Sequence, residues 1–381
     1  MAIKDNCTKH AESVTFPDLA WRRKLRRQLL NWFRRNARDL PWRDAPTPYQ
    51  TWVSEIMLQQ TQVATVVEYY QRFLKRFPDV QTLATATEQE VLRYWEGLGY
   101  YRRARQLHLA AKTIMTNHDG CFPTTFSEVL ALPGIGRYTA GAILSISLGL
   151  RFPIVEANTI RLFARLLHVS TEVTATQTQK QFWEFATWIL PHKHLSDFNQ
   201  ALMEVGSLIC TPKSPACGKC PLRSLCPTLV SQAFDKIPKP KPKIKFEQIQ
   251  EVAVVVQHRD GHRVLLRQCQ ADQRWAGLWD FPRFECDIKC SHALTISERQ
   301  KIAEETRDLA CVQIDDLIPL TSIKYGVTKY RITLNCYSAK PKRDKTAKNP
   351  TLHWVSLDEL DDYPLSTTGR KICQVLKSEN V

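Results

Sequence analysis

Residues 210–226 read CTPKSPACGKCPLRSLC, so Cys210, Cys217, Cys220 and Cys226 stand as C-x6-C-x2-C-x5-C. Thiols at such short spacings can converge on one centre, and four thiolates are the ligand set of an iron–sulfur cluster or of a structural zinc. Only one pair has the C-x2-C spacing, whereas zinc ribbons carry two such pairs far apart. Four unrelated free thiols are the bland alternative, which this clustering disfavours. Pro212, Pro215, Pro221 and Pro227 keep the segment out of helix and predict a wrapped loop. The spacing alone leaves cluster and zinc both open.

Around that loop lies a chain of 381 residues, 43% hydrophobic with 10 Trp, long enough for two globular domains. Its apolar runs are too short for a membrane span, and the N-terminal MAIKDNCTKH has no apolar signal segment. The expectation is a cytoplasmic protein, nucleoid-associated in a bacterium. Cys7, Cys121, Cys269, Cys286, Cys290, Cys311, Cys336 and Cys373 form no disulfide framework and read as reduced thiols. Lys and Arg outnumber Asp and Glu by 53 to 38, a net charge of +15, which favours a polyanionic partner such as nucleic acid. A well-solvated basic surface is the alternative. The basic residues are dense in 21–43 and 100–112; in the first, Leu25, Leu29 and Phe33 set an apolar stripe between arginines.

Helical periodicity runs through 50–77, 88–116, 126–149, 155–168 and 178–190, so residues 18–230 read as almost all helix. DKIPKPKPKIKF (235–246) cannot build a core and reads as a stiff basic linker. Beyond it EVAVVVQH, HRVLLRQ, YRITLNCY and LHWVSL are strand-like, RDG signals a hairpin between the first two, and 296–309 is one helix. The expected organisation is a helical domain (1–230), a linker (231–248) and an α+β domain (249–381), a multidomain α and α+β protein without internal repeats.

LPGIGRYTAGAILSISLG (132–149) has helix-like sequence before and after its GxG. Gly134 and Gly136 permit a tight turn that leaves backbone amides at the next helix's start for a phosphate oxygen, with Arg137 beside them. No strand precedes it, so it fails as a dinucleotide fingerprint and reads as helix–hairpin–helix, which grips DNA backbone without reading sequence. A plain helical corner is the alternative.

The cysteine loop just after NQALMEVGSLIC (199–210), together with this hairpin, resembles the endonuclease III superfamily of DNA glycosylases. The segments 40–63, 92–108, 132–149 and 199–210 resemble the MutY family of adenine glycosylases within it, densely over 40–230 and thinly over 290–381. The resemblance implies a [4Fe–4S] cluster, with Lys213, Lys219 and Arg223 on its loop meeting phosphates. It implies a monomer that acts on double-stranded DNA holding A·8-oxoguanine or A·G mispairs. Superfamily lyases place a nucleophilic Lys where this chain has Tyr138. Without that amine no Schiff base forms, so hydrolysis without strand cleavage is expected.

Breaking an N-glycosidic bond calls for two carboxyl groups in opposed roles. Glu55, set among apolar residues in WVSEIMLQQTQV, is expected to be protonated and, by resemblance, to protonate adenine N7. For the second, the family's Asp-Gly-Asn is here Glu156-Ala157-Asn158. Either Glu156 serves in a pocket reshaped around it, which is the favoured expectation, or the site binds lesions without excising them. A displacement of about 1 Å in a catalytic group costs on the order of 10²-fold. The resemblance has Tyr138 and Asn158 orient the acid and Arg43 and Glu204 meet the flipped adenine. It also makes Gln60, Thr61, Leu98 and Tyr100 probes of the duplex, with Leu98 in an exposed turn between Gly97 and Gly99.

Residues 252–268 and 274–285 resemble the start of a Nudix fold, but ERQKIAEETRDLA (298–310) lacks the metal-holding box, so this domain is expected to recognise rather than react. Where the family carries a Phe-Ser/Thr-His turn against 8-oxoguanine, this chain has Val327, Thr328 and Lys329. The rival functions are a non-catalytic lesion binder, a glycosylase of other base specificity, and a nucleotide-pool Nudix enzyme, which fails for want of its box.

Overall fold

The computed structural model describes residues 16–44, 46–240, 245–286, 294–343 and 349–379. Cys7, Cys290 and part of the Lys-Pro stretch lie outside them; the other six cysteines beyond the loop carry free thiols. No helix among the described residues is long and apolar enough to cross a membrane. The chain divides into two compact units, one of residues 1–56 with 122–241 and the other of 57–121 with 242–381.

The first unit is helical: α1 (Leu19–Asn36), α2 (Pro48–Leu58, which runs on into the second unit), and then α7 to α12. The second begins with α3 (Val63–Arg76), α4 (Val80–Thr85), α5 (Glu88–Trp95) and α6 (Arg102–Asn117). Returning to the first, α7 (Phe126–Ala131), α8 (Arg137–Ser147), α9 (Ala157–Leu166), α10 (Thr176–Ile189), α11 (Leu195–Leu208) and the short α12 (Pro227–Val230) complete it. Its core joins Leu25, Leu29 and Phe33 of α1 to Phe163, Phe182, Phe185 and Phe198. Helix α11 packs against α1, α8 and α9 and is buried along nearly all its length. That placement matters because α11 carries Glu204 into the interior.

The expected helical character of 18–230 is present, but the periodic stretches 50–77 and 88–116 are each broken by a turn. The first break is at Gln60 (φ +58); the second is at Gly97, Gly99 and Tyr100, all with positive φ. A left-handed residue ends a helix, since the next N–H no longer points down its axis.

The second unit adds a four-stranded sheet in the order β4-β1-β6-β5 and a three-stranded sheet β3-β2-β7. The strands are β1 (Glu247–Val256), β2 (Arg263–Gln268), β3 (Trp279–Asp280), β4 (Arg283–Glu285), β5 (Ile314–Val327), β6 (Tyr330–Pro341) and β7 (Leu352–Ser356), with α13 (Ile296–Ala310) and α14 (Thr367–Glu379). Alternate residues of β1 face two cores: Val252, Val254 and Val256 meet Ile302 and Ala310 of α13, while Ala253 and Val255 meet Ile372 and Leu376 of α14. Burial on both faces is why β1 reads as an unbroken apolar run. The expected β1–β2 hairpin is corrected. β1 pairs in parallel with β6 and antiparallel with β4, so both its edges are taken. β2 keeps only an isolated bridge at Gln257–Val264 and pairs with β3 and β7 in the other sheet.

Candidate active site and cluster loop

Glu55 sits on α2 with Trp52, Val53, Ile56 and Met57 as buried neighbours and is itself only 5% exposed. Burial pushes its carboxyl up to about 7, Tyr138 pulls back by hydrogen bonding, and a nearby Glu156 charge pushes it further up. The Tyr138 hydroxyl donates to Glu55 Oε2 at 2.5 Å. Tyr138 is brought there by the hairpin. Gly134 takes φ +76, Gly136 caps α8 without a side chain, and Tyr138 follows in the first turn beside exposed Arg137, whose guanidinium lies 3.8 Å over the Trp183 ring. A Cβ at Gly136 would meet nothing within 4 Å, so the open approach to this helix end is not filled by protein.

Glu156 is the N-cap of α9. Its Oε1 accepts from Thr159 N and its Oε2 from Asn158 N, both at 2.8 Å, with Asn158 Nδ2 at 3.2 Å. Ala157 occupies the first helical position, where alanine is at ease. Burial pushes the Glu156 carboxyl up; the Asn158 and Thr159 amides and Arg161 pull it back. Those donors and the positive helix end offset part of the burial, and the carboxyl stays raised. Two close approaches fix this loop-to-helix junction. A Cβ on Gly141 of α8 would stand 2.6 Å from Pro153 O, and one on Gly206 of α11 would stand 2.8 Å from Asn158 O. Neither glycine is at positive φ, so their role is closeness and not turn geometry.

Three arginines that the motifs did not single out, Arg161, Arg38 and Arg103, each tie candidate site residues together. Arg161 donates to Asn158 Oδ1 at 2.9 Å and to Cys210 O at 2.6 Å, tying the carboxylate's partner to the cysteine loop. Arg38 and Arg43 both engage Glu204, at 2.7 and 2.8 Å. Burial pushes Glu204 up, but these hydrogen bonds outweigh it and hold the carboxyl at about 2. Glu204 is 1% exposed, so it is a fixed, buried anion.

In the second unit Gln60 and Thr61 lie in the turn after α2, and Tyr100 in the turn after α5. Tyr100 is 54% exposed, but Leu98 is 6% exposed, which corrects the expectation that Leu98 itself lies exposed in this turn. With Gly97 at φ +96 and Gly99 at φ +71 the turn folds Leu98 inward and presents the tyrosine. The third arginine is Arg103, which donates to Met57 O, Gln59 O and Thr61 Oγ1 of one turn and to Leu98 O and Gly99 O of the other. Tyr100 lies over the same guanidinium. The two turns are thus held by one side chain. Thr328 (φ +50) and Lys329 form an exposed two-residue turn between β5 and β6, with Lys329 Nζ 2.7 Å from Glu247 Oε1.

The cysteine loop wraps as expected, through short 3-10 turns at Cys217–Lys219 and Arg223–Leu225. Cys210, Cys217, Cys220 and Cys226 all line one cavity. Arg165, 1% exposed, donates to Cys210 Sγ at 3.3 Å, and its other partners are main-chain carbonyls. A buried guanidinium held by carbonyl dipoles, a sulfur and the Phe234 ring, with no carboxylate among its contacts in the described residues, calls for an anionic neighbour, which four metal-bound thiolates provide. The residues fit an iron–sulfur cluster.

A family model described as the HhH-GPD superfamily of base excision DNA repair proteins matches residues 53–187; the iron-sulfur binding domain of endonuclease III matches 210–226, and a NUDIX domain matches 252–375. An adenine DNA glycosylase of Buchnera aphidicola subsp. Schizaphis graminum is 40% identical over 263 residues, covering 68% of this chain and 75% of that protein. Another, from Rattus norvegicus, is 31% identical over 413 residues, covering 94% and 79%. The chain belongs to the adenine DNA glycosylase family. Among solved structures, that of a thermostable thymine-DNA glycosylase matches with a TM-score of 0.52 at 28% identity, over 56% of this chain and 98% of that one. The protein is therefore a base-excision DNA glycosylase whose loop Cys210–Cys226 carries a [4Fe–4S] cluster, followed by a Nudix-like α+β domain. Family membership sets aside the non-catalytic and nucleotide-pool alternatives.

Proposed function

We propose that the protein removes adenine opposite 8-oxoguanine or guanine by hydrolysis, leaving an abasic site without cutting the strand. The observation that carries this reading is the pair of buried carboxyl groups in different surroundings, Glu55 held up to about 7 beside the Tyr138 hydroxyl and Glu156 capped by two backbone amides. Glu55 gives its proton to adenine N7, the C1′–N9 bond breaks with its electron pair going to the base, and the Glu156 carboxylate stabilises the oxocarbenium ion. Water adds at C1′ and its proton restores Glu55. Tyr138 and Asn158 hold the two carboxyl groups. Tyr138 is a phenol hydrogen-bonded to Glu55 and offers no amine for a Schiff base.

Arg43 and Glu204 meet the flipped adenine; Glu204 already takes five donors from Arg38 and Arg43, so it accepts from the adenine amino group only as one of those arginine contacts gives way. Gln60, Thr61 and Tyr100 enter the duplex while Leu98 supports the turn from below. Gly134, Gly136 and Arg137 grip phosphates, as do Lys213, Lys219 and Arg223. Thr328 and Lys329 read the opposite base; the Lys329–Glu247 pair is exposed and screened, so it exchanges for DNA at little cost. The protein works as a monomer on double-stranded DNA.

The test is single-turnover excision from duplexes holding A·8-oxoguanine, A·G, T·G or thymine glycol, read before and after alkali. Adenine release from the first two, with strand breaks only after alkali, is expected. Release of thymine or thymine glycol in preference to adenine, or nicking at neutral pH, overturns the reading.

A further inference from the structure

Within the second unit, α5 is clasped by the C-terminal part of the chain. Gln89 donates to Gly277 O and accepts from Trp279 Nε1, both at 2.9 Å. Gly277, at φ +86, presses so close that a Cβ would stand 3.1 Å from Leu92 Cδ1 and from Glu88 Oε1. At the end of α5, Arg370 of α14 grips Glu96 with both prongs, Nε to Oε1 at 2.7 Å and Nη2 to Oε2 at 2.9 Å. Its remaining N–H groups go to Leu360 O, Asp361 Oδ1 and Tyr363 O at 2.8–2.9 Å. The guanidinium's whole donor set is used. The two side chains are 19% and 9% exposed.

Glu96 is the last residue before the Gly97-Leu98-Gly99-Tyr100 turn, and Trp95 Nε1 donates across it to Gly99 O at 3.2 Å. A bidentate pair fixes direction as well as distance, which a single ammonium contact does not. We propose that the Arg370–Glu96 pair is a positioning joint through which the C-terminal domain sets the Tyr100 turn, so that reading of the opposite base governs how the probe enters the duplex. This rests on the reading of Tyr100 as probe and Thr328-Lys329 as reader. The joint does not touch DNA; it makes the two parts move as one.

The experiment compares single-turnover excision from A·8-oxoguanine and A·G for wild type, Arg370→Met, Arg370→Lys, Glu96→Gln, Tyr100→Ala and the Arg370→Met/Tyr100→Ala double variant, with thermal midpoints recorded for each. Arg370→Met is expected to lower the ratio of the two rates about tenfold, as a displaced probe would. A·G excision should stay within about twofold. Arg370→Lys should fall between, and Glu96→Gln should repeat the effect with less disturbance of packing. The Arg370→Met change should cost less in the Tyr100→Ala background than alone, because both act through one element. An unchanged ratio in Arg370→Met or Glu96→Gln, or equal loss on both substrates at a wild-type midpoint, overturns the joint. If Tyr100→Ala alone changes neither rate, the probe reading itself has failed; if it slows excision while Arg370→Met leaves the ratio unchanged, only the joint has.

Discussion

The Tyr138 hydroxyl donates to Glu55 Oε2 at 2.5 Å across 83 positions of sequence. It binds one oxygen of a carboxyl group that burial has already pushed up to about 7, and the phenol is itself driven well above its usual range. The bond therefore moderates the acid's pKa while fixing its plane.

If protonated Glu55 is the active form, excision should fall about tenfold per pH unit as pH rises above the Glu55 value of about 7. Tyr138→Phe removes a hydrogen bond that lowers that value, so the falling limb should move to higher pH. Stability follows the same titration. The unfolded carboxyl ionises from about 4.5, the folded one only near 7, so this group's contribution declines between those values as pH rises. Glu55→Gln should remove both the limb and that decline, read by single-turnover pH profiles and thermal unfolding.

Glu156→Gln nearly keeps the shape but removes the charge. Excision should fall by about 10³-fold or more while duplex affinity holds or tightens, because the lost interaction exists only near the transition state. Loss of the charged helix cap should lower stability by about 1 kcal/mol. Glu156→Asp still reaches the amides of Asn158 and Thr159, so its thermal midpoint should hold. Its shorter stem should slow excision on the order of tenfold if the pocket is fitted to glutamate. A rate equal to wild type would show that it is not.

Arg103→Lys keeps a charge but cannot reach two turns at once. Extrusion of the base, followed by 2-aminopurine fluorescence beside the lesion, should slow more than tenfold if rigid turns are what hold the duplex open. Unchanged extrusion would assign Arg103 to stability alone.

Removing residues from 248 onward uncovers the faces of α5 that hold Gly277 and Arg370. Hydrogen exchange should therefore quicken in Glu88–Trp95, while α9 and α11 of the other unit keep their protection. Equal protection of α5 with and without the C-terminal residues would contradict this.

Much of this was legible in the chain. The cysteine spacing, the helix–hairpin–helix glycines and the strand grammar after 246 are local patterns, and local patterns survive in a linear reading. β5 escaped because its alternation is broken by register shifts at 315/318 and 319/321, and α14 because Gly369 interrupts a short apolar stripe.

By itself the sequence determined four clustered thiols for a cluster and a +15 chain for a polyanion, and through its family resemblance it pointed to Glu55, Glu156 and Tyr138 as candidates for the chemistry. Only the tertiary structure decided their states and supports. Protonation of Glu55 is a property of everything packed around it, and Arg38, Arg103, Arg161 and Arg370 act through partners up to 274 positions away. An arginine in a linear reading is only a positive charge. What it holds is fixed by which distant oxygens folding brings within hydrogen-bond reach, and that is why Leu98 turned inward, Tyr100 outward, and α5 joined the C-terminal unit.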